Sequence, residues 1–389
     1  MFELPKYVTN MLDTLHDAGY EAYVVGGAVR DMLLGDTPND FDIATSCHPT
    51  KLTLLFEKTV ETGIKHGTVT VLDGNNAVEI TTFRQDIGYS DYRKPDGVNF
   101  ISNLSDDLKR RDFTVNAMAF SNETGLIDNF GGQSDIKNRI IKAVGNPDKR
   151  FKEDALRILR AFRFSAMLNF NIDKGTFSSA INNSHLLSKI SRERIFSELS
   201  KVLVSNTPQK IEPLINCGAL SFLGISFAND LNILSRIPNR LDMRFFAFCL
   251  LTKTNIQNLC KELKTGKVLY KYCEVLNTLW KRNFPTDQIK IKEALSISNE
   301  TLLKDYFEIE KQINNVSLDH AVCLLDNIIS KGEPYLIRHL AVSGDDILAL
   351  GYKDTDVGKT LNKLLEIVIG DPSKNDKNTL INIASNFLN

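Results

Sequence analysis

Asp40 and Asp42 stand one residue apart, about a dozen residues after the run Gly26, Gly27, Ala28, Val29, Arg30, Asp31. Hard carboxylate oxygens so spaced can hold one or two Mg²⁺ ions. A glycine pair leading into a helix can cradle phosphate, so together they suit metal-dependent nucleotidyl transfer from a triphosphate. That chemistry requires particular elements. Ala22 to Val25 is apolar and β-favouring, the glycines allow close backbone approach, and Asp31 to Leu34 can open a short helix ended by Gly35. A strand over Asp40 to Ala44 would put both carboxylates on one face, with Phe41 and Ile43 on the other. Each half alone also reads as ordinary structure, a solvated turn or helix cap for the aspartates and a tight turn for the glycines. Their order favours a site, since one compact unit then supplies phosphate donors, the Arg30 guanidinium and metal ligands.

Further along, Thr68 to Leu72 and Ala77 to Phe83 flank Asp73, Gly74, Asn75, Asn76, the pattern of a hairpin. Val78 and Ile80 alternate with Glu79 and Thr81, so Glu79 is a candidate third carboxylate near the metals; a merely exposed strand glutamate would look the same. Arg110, Arg111, Asp112, Phe113, Thr114, Val115 and Asn116 form a second cluster. It reads either as a surface helix start with Asp112 near the positive dipole end, or as nucleotide contacts, with Arg111 on phosphate and Asp112 or Asn116 on ribose hydroxyls. The third cluster runs from Glu153 to Arg163 on a helix that Pro147 or Asp148 could begin. Steps of three set Asp154, Arg157, Arg160 and Arg163 along one stripe, while Leu156, Leu159 and Phe162 supply apolar contacts. An ion-pair ladder within the helix would need no ligand, but three arginines exceed what Glu153 and Asp154 neutralise, which favours an anionic partner.

The chain has 389 residues, 42% of them hydrophobic, enough for two to four domains with sizeable cores. Six cysteines, at 47, 217, 249, 260, 273 and 323, form no CxxC pair, suggesting neither a zinc site nor a disulfide framework and fitting a reducing cytoplasm. No signal pattern opens the chain, and the longest apolar run, Phe245 to Leu251, falls far short of the roughly 20 residues that span a bilayer, so no membrane association is expected. The net charge of −1 argues mildly against a nucleic-acid binder. Its distribution argues the other way: residues 137–163 and 253–292 each carry nine Lys and Arg against three acids, and such stretches could track a phosphate backbone. Residues 1 to about 136 alternate short strands and helices; from about 147 helical periodicity dominates, as in Ala155 to Phe164, Arg194 to Leu203 and Leu361 to Ile369. Turn formers mark boundaries near Gly145 to Pro147, Ser205 to Pro208 and Asn283 to Pro285.

With these clusters in order, the chain resembles the class II tRNA nucleotidyltransferases, the CCA-adding enzymes, of the short bacterial type within the polymerase-β superfamily. Gly26, Gly27, Arg30, Asp31, Gly35, Asp40 and Asp42 match the motif that holds the metal aspartates. Arg111, Asp112 and Asn116 match the ribose motif, and Glu153, Asp154 and Arg157, continuing into Arg160 and Arg163, match the nucleotide-selecting motif. Similarity reaches Ser191 to Leu199, Ser343 to Gly351 and Gly358 to Leu361. The resemblance implies an α+β chain: a polymerase-β-like head with a small mixed sheet (1–136), then an all-α neck (137–207), body (208–284) and tail (285–389). It implies catalysis by Asp40 and Asp42 with Mg²⁺, and nucleotide binding by Gly27, Arg30, Arg111, Asp112, Asn116, Asp154, Arg157, Arg160 and Arg163. Its partners would be CTP, ATP and the acceptor and T-arm half of tRNA, and it is compatible with a homodimer. One departure is visible. Asp128, Asn129, Phe130, Gly131, Gly132 stands where the family's hinge has proline second, which removes a fixed φ and implies looser head motion. Relatives that add only A, only CC or poly(A) share the core motifs; Tyr89, Asp91, Arg93 and Pro95 resemble the flexible loop that CC-only enzymes lack, which favours full CCA addition. Two other classes compete: a nucleotide-sugar glycosyltransferase leaves the arginine clusters without work, and a catalytically dead RNA-binding protein could dispense with the paired carboxylates.

Overall fold

Around a central sheet, the computed structural model describes residues 3–88, 97–228, 230–282 and 287–387. The predicted loop residues Tyr89, Asp91, Arg93 and Pro95, and the boundary at Asn283 to Pro285, lie outside them. The chain divides into two units, Met1–Asn232 and Ile233–Asn389.

In the first unit the α-helices are α1 (Lys6–Asp17), α2 (Gly27–Leu34), α3 (Pro49–Leu55), α4 (Leu104–Lys109), α5 (Gly132–Lys137), α6 (Pro147–Glu153), α7 (Leu156–Leu168), α8 (Lys174–Asn182), α9 (Arg192–Leu203) and α10 (Glu212–Asn216). The main sheet takes β1 (Ala22–Val25), β2 (Asp42–Thr45), β3 (Thr59–Gly63), β4 (Thr68–Asp73) and β5 (Asn76–Thr82). A separate two-stranded ribbon is made by β6 (Arg84–Ile87) and β7 (Gly97–Phe100), and β8 (Ala119–Ser121) with β9 (Gly125–Ile127) completes the main sheet. Strand order is β3-β4-β5-β2-β1-β8-β9, with β2 and β5 parallel and the other pairs antiparallel. The hairpin forms as expected: Asp73 pairs with Asn76 around Gly74 and Asn75, and Gly74 takes a positive φ of 60°.

Both faces of the sheet are covered, so β1 is buried along its whole length. Val24, Ile43 and Ile80 pack with Val8, Leu12 and Leu15 of α1 in one core, while Tyr23, Val25 and Ala44 pack with Phe83, Leu104 and Leu108 in another. Period-two alternation thus sends Phe41 and Ile43 into a core, as the sequence predicts, but the strand begins at Asp42 rather than Asp40. The helix after the glycines also differs. It starts at Gly27, not Asp31, because Gly26 turns the chain with φ 73°, and it ends at Gly35 in the left-handed region.

The turn at Asp128 to Gly132 is held without proline. The Asp128 carboxylate accepts the Gly132 and Gln133 amides at 2.8 and 2.9 Å, capping α5. A Cβ at Gly132 would lie 2.4 Å from the Thr114 carbonyl oxygen and 2.7 Å from the Met118 sulfur. Gly132→Ala is therefore expected to cost roughly 1–3 kcal/mol through overpacking, read as a lower urea midpoint with an unchanged slope.

Among the described residues of the second unit, every regular element is a helix. Its core is built on Phe245, Phe246 and Phe248, and Trp280 packs edge-on between Phe246 and Tyr306 with ring centroids 6.1 and 5.9 Å away. Arg240 forks onto Asp305 at 2.8 and 2.9 Å, and the Tyr272 hydroxyl donates to the same carboxylate at 3.0 Å. A further apolar cluster gathers Ile347, Leu364, Val368 and Leu380. Among the described residues no helix is long and apolar enough to cross a membrane.

Candidate active site

At the end of β1 the backbone enters α2 through Gly26 with no side-chain cap, which leaves the first amides of α2 for a ligand. This end forms one wall of a cavity of about 520 Å³ lined by seven arginines, Arg30, Arg110, Arg111, Arg157, Arg160, Arg163 and Arg194, against three aspartates, Asp42, Asp112 and Asp154. Guanidinium groups gathered around an uncapped helix start suit an anion. Gly27 and Asn116 also line it.

Asp42 stands in register with Val25 of β1 and Glu79 of β5. Its proton affinity is raised, first by burial and then by the Glu79 carboxylate, with Asp40 adding to the effect and Arg111 opposing it. Asp40 is exposed just before β2 and does not line the cavity. Among the described residues no three Asp, Glu, His or Cys side chains converge into a complete metal cage. Mg²⁺ does not need one, since it commonly binds through one or two carboxylates plus substrate phosphates and waters. Repulsion among Asp42, Glu79 and Asp40 is the strain a divalent cation would relieve, so the residues present fit one.

Arg30 is held by Asp31 at 2.7 and 2.9 Å and donates to the Asn116 side-chain oxygen at 2.7 Å, which joins two of the sequence motifs. Arg111 is half-buried, and Nη1 lies 3.2 Å from the Cβ position that Gly26 leaves empty. Asp112 is not at a surface helix start. It sits in a buried turn before a 3₁₀ segment, Thr114–Asn116, where it accepts the Phe113 amide at 2.8 Å and a forked bond from Arg160 at 2.6 and 2.7 Å.

The helix carrying the third cluster is broken where one continuous run was expected. Asp154 is extended, with φ −134° and ψ 104°, and its carboxylate accepts the Leu156 amide at 3.0 Å, so α6 stops and α7 begins anew. An aspartate offers the backbone this alternative to helix, which the side-chain spacing does not reveal. Asp154 also receives both guanidinium nitrogens of Arg194 on α9, at 2.8 and 3.3 Å. Arg157 donates to Glu153 at 2.8 Å and to the Arg110 carbonyl at 2.9 Å. The expected surplus of positive charge within this helix is corrected as well: Arg160 is met by Asp112, and Arg163 by Glu198 of α9 at 2.9 Å. Phe164 also lines the cavity, with Arg163, Arg160 and Arg30 at 4.1, 5.3 and 5.4 Å from its ring.

Sequence reasoning brought Gly27, Arg30, Asp42, Arg111, Asp112, Asn116, Asp154, Arg157, Arg160 and Arg163 to one cavity, and left out Arg110, Phe164 and Arg194. Arg110 and Arg194 lay inside runs already noted; nothing in the pattern separates Phe164 from an ordinary core aromatic.

Burial would push the Asp112 carboxyl up, but Arg160 and then Arg157 overcome it and hold it down to about 2. A carboxyl so depressed stabilises the fold above its unfolded value near 3.8, and that contribution is lost as pH falls toward 2. Asp112→Asn is thus expected to be about 2 kcal/mol less stable at neutral pH, with the gap to wild type closing below about pH 4 in urea titrations.

Residues 22–142 match the family described as "Poly A polymerase head domain", and residues 169–225 match "Probable RNA and SrmB- binding site of polymerase A". Residues 22–142 thus form a head of the poly A polymerase class, as their sheet suits. The CCA-adding enzyme of Ligilactobacillus salivarius is 36% identical over 98% of this chain and 96% of its own length. That of Lactobacillus helveticus is 36% identical over 95% and 94%. Among solved structures, the Bacillus stearothermophilus CCA-adding enzyme in complex with CTP aligns over 99% of this chain and 98% of its own, with a TM-score of 0.81 and 27% identity. The chain belongs to the CCA-adding enzyme family.

Proposed function

We propose that the protein adds and repairs the 3′-terminal CCA of tRNA without a template, using CTP and ATP and releasing pyrophosphate. The observation that carries this is the single cavity in which seven arginines, the uncapped start of α2 and Asp42 meet, in a chain similar over nearly its whole length to CCA-adding enzymes.

Asp40 and Asp42 would hold Mg²⁺, with Glu79 a candidate third carboxylate behind them. When bound, Mg²⁺ would lower the pKa of the tRNA 3′-hydroxyl, align it on the α-phosphate and neutralise the departing pyrophosphate. Gly27 offers backbone amide to the triphosphate, and Arg30 and Arg111 offer guanidinium. Asp112 and Asn116 face the ribose. Asp154 can accept from an exocyclic amine while Arg157 donates to a ring nitrogen, an edge that cytosine and adenine share. Their partners Arg194, Glu153 and the Arg110 carbonyl fix both side chains beforehand, so recognition needs little rearrangement. Arg160 and Arg163, stacked on Phe164, complete the wall. In this reading head, neck, body and tail keep the boundaries 1–136, 137–207, 208–284 and 285–389, the last gripping tRNA. The six free cysteines suit work in the cytoplasm.

Purified protein, Mg²⁺, labelled CTP or ATP, and tRNAs ending before, within or after CCA provide the test. Addition of C, C and A in order, stopping on completed ends, is expected; addition of A alone or CC alone would move the assignment within the family, and no extension would remove it.

A further inference from the structure

Arg110 and Arg111 are held in the cavity wall by a carboxylate that does not itself line the cavity. Asp107, on α4, is 1% exposed. Its Oδ1 accepts Arg110 Nη2 at 2.8 Å, Arg110 Nε at 3.0 Å and the Arg84 backbone amide at 3.1 Å. Its Oδ2 accepts Arg111 Nη2 at 3.4 Å. Arg84 is the first residue of β6, so this one side chain ties the β6–β7 ribbon to two cations of the site.

Resting on the nucleotide reading above, we propose that Asp107 is a positioning residue for the triphosphate, setting the direction of Arg110 and Arg111 without touching the ligand. Capping of α4 does not account for it, because Asn103 already accepts the Asp106 amide there. Asp107 is one carboxylate shared between two guanidiniums, so the pair keeps a surplus positive charge while its geometry is fixed. Arg111 thereby keeps Nη1 3.2 Å from the Cβ position of Gly26, and its charge opposes the repulsion that Asp42 receives from Glu79 and Asp40. The Arg110 carbonyl, at the end of the same α4 turn, receives Arg157 at 2.9 Å, so the orientation reaches the base-reading wall as well. Despite burial, Arg110 and Arg111 keep the Asp107 carboxyl below its ordinary range, as a permanently charged anchor requires.

The test titrates full-length wild type, Asp107→Asn and Asp107→Glu with CTP and with CMP by calorimetry, alongside melting curves. Asp107→Asn keeps an acceptor for Arg84 but removes the charge. It should weaken CTP about tenfold or more, as loss of an outer partner of a binding group does, while CMP stays within about twofold. Asp107→Glu keeps the charge with one more methylene and should fall between; it carries the comparison if the asparagine variant does not fold. CTP affinity unchanged in both variants, or equal losses for CMP and CTP, overturns the positioning role alone. A wild type that binds no CTP would overturn the nucleotide reading and this inference with it.

Discussion

Asp42→Ala should lower incorporation of both CMP and AMP by on the order of a thousandfold or more, equivalent to about 4 kcal/mol of barrier, while the protein stays folded. The carboxylate occupies the first position of β2, and the backbone pairs that hold this strand to β1 and β5 do not depend on it. Its folded state even disfavours the charge, since burial and Glu79 raise its proton affinity. Removing it relieves repulsion instead of breaking a bond, so the melting temperature should hold or rise slightly. The catalytic loss has another source: of the three candidate metal carboxylates, Asp42 is the one that lines the cavity beside the phosphate site. Single-turnover incorporation with a parallel melt separates the two effects, and activity within tenfold of wild type would contradict the metal assignment.

Arg157→Ala should blur nucleotide choice before it weakens tRNA binding. Arg157 is anchored on both sides, to Glu153 and to the Arg110 carbonyl, which leaves its remaining donors pointing in a defined direction. A base presenting a carbonyl where cytosine and adenine carry an amine would set that acceptor against the Asp154 carboxylate with no proton between them, at about 1–3 kcal/mol. Without the Arg157 partner that penalty loses its geometry, so discrimination against UTP and GTP should drop by roughly 10- to 100-fold. Competition assays with all four triphosphates measure this directly, and unchanged selectivity would refute the template role.

The short-range features were legible in the sequence. The turn at Gly74 and Asn75 needs positive φ only at Gly74, and alternation alone places Ile43 and Ile80 in a core. Features set by competition among nearby groups were less so. Whether Asp154 continues a helix or caps a new one depends on its side chain choosing the Leu156 amide, and the three-residue spacing is compatible with both. Long-range pairing was not legible. Asp112 meets Arg160 across 48 positions of sequence, and Arg194 meets Asp154 across 40, so the charge balance of the site is invisible until the chain is folded. The same holds for Asp107, which reads as one more acid on a short helix until Arg84, Arg110 and Arg111 close around it.

The chain has a single tryptophan, and it is Trp280, lodged between Phe246 and Tyr306 in the unit that begins at Ile233. Indole emission excited at the red edge therefore reports on that unit's interior and is blind to residues 1–232. Circular dichroism sees helices in both. Disagreement between the two signals along one denaturant series would expose stepwise melting, and a tryptophan placed at Phe164 would give the cavity an optical probe of its own.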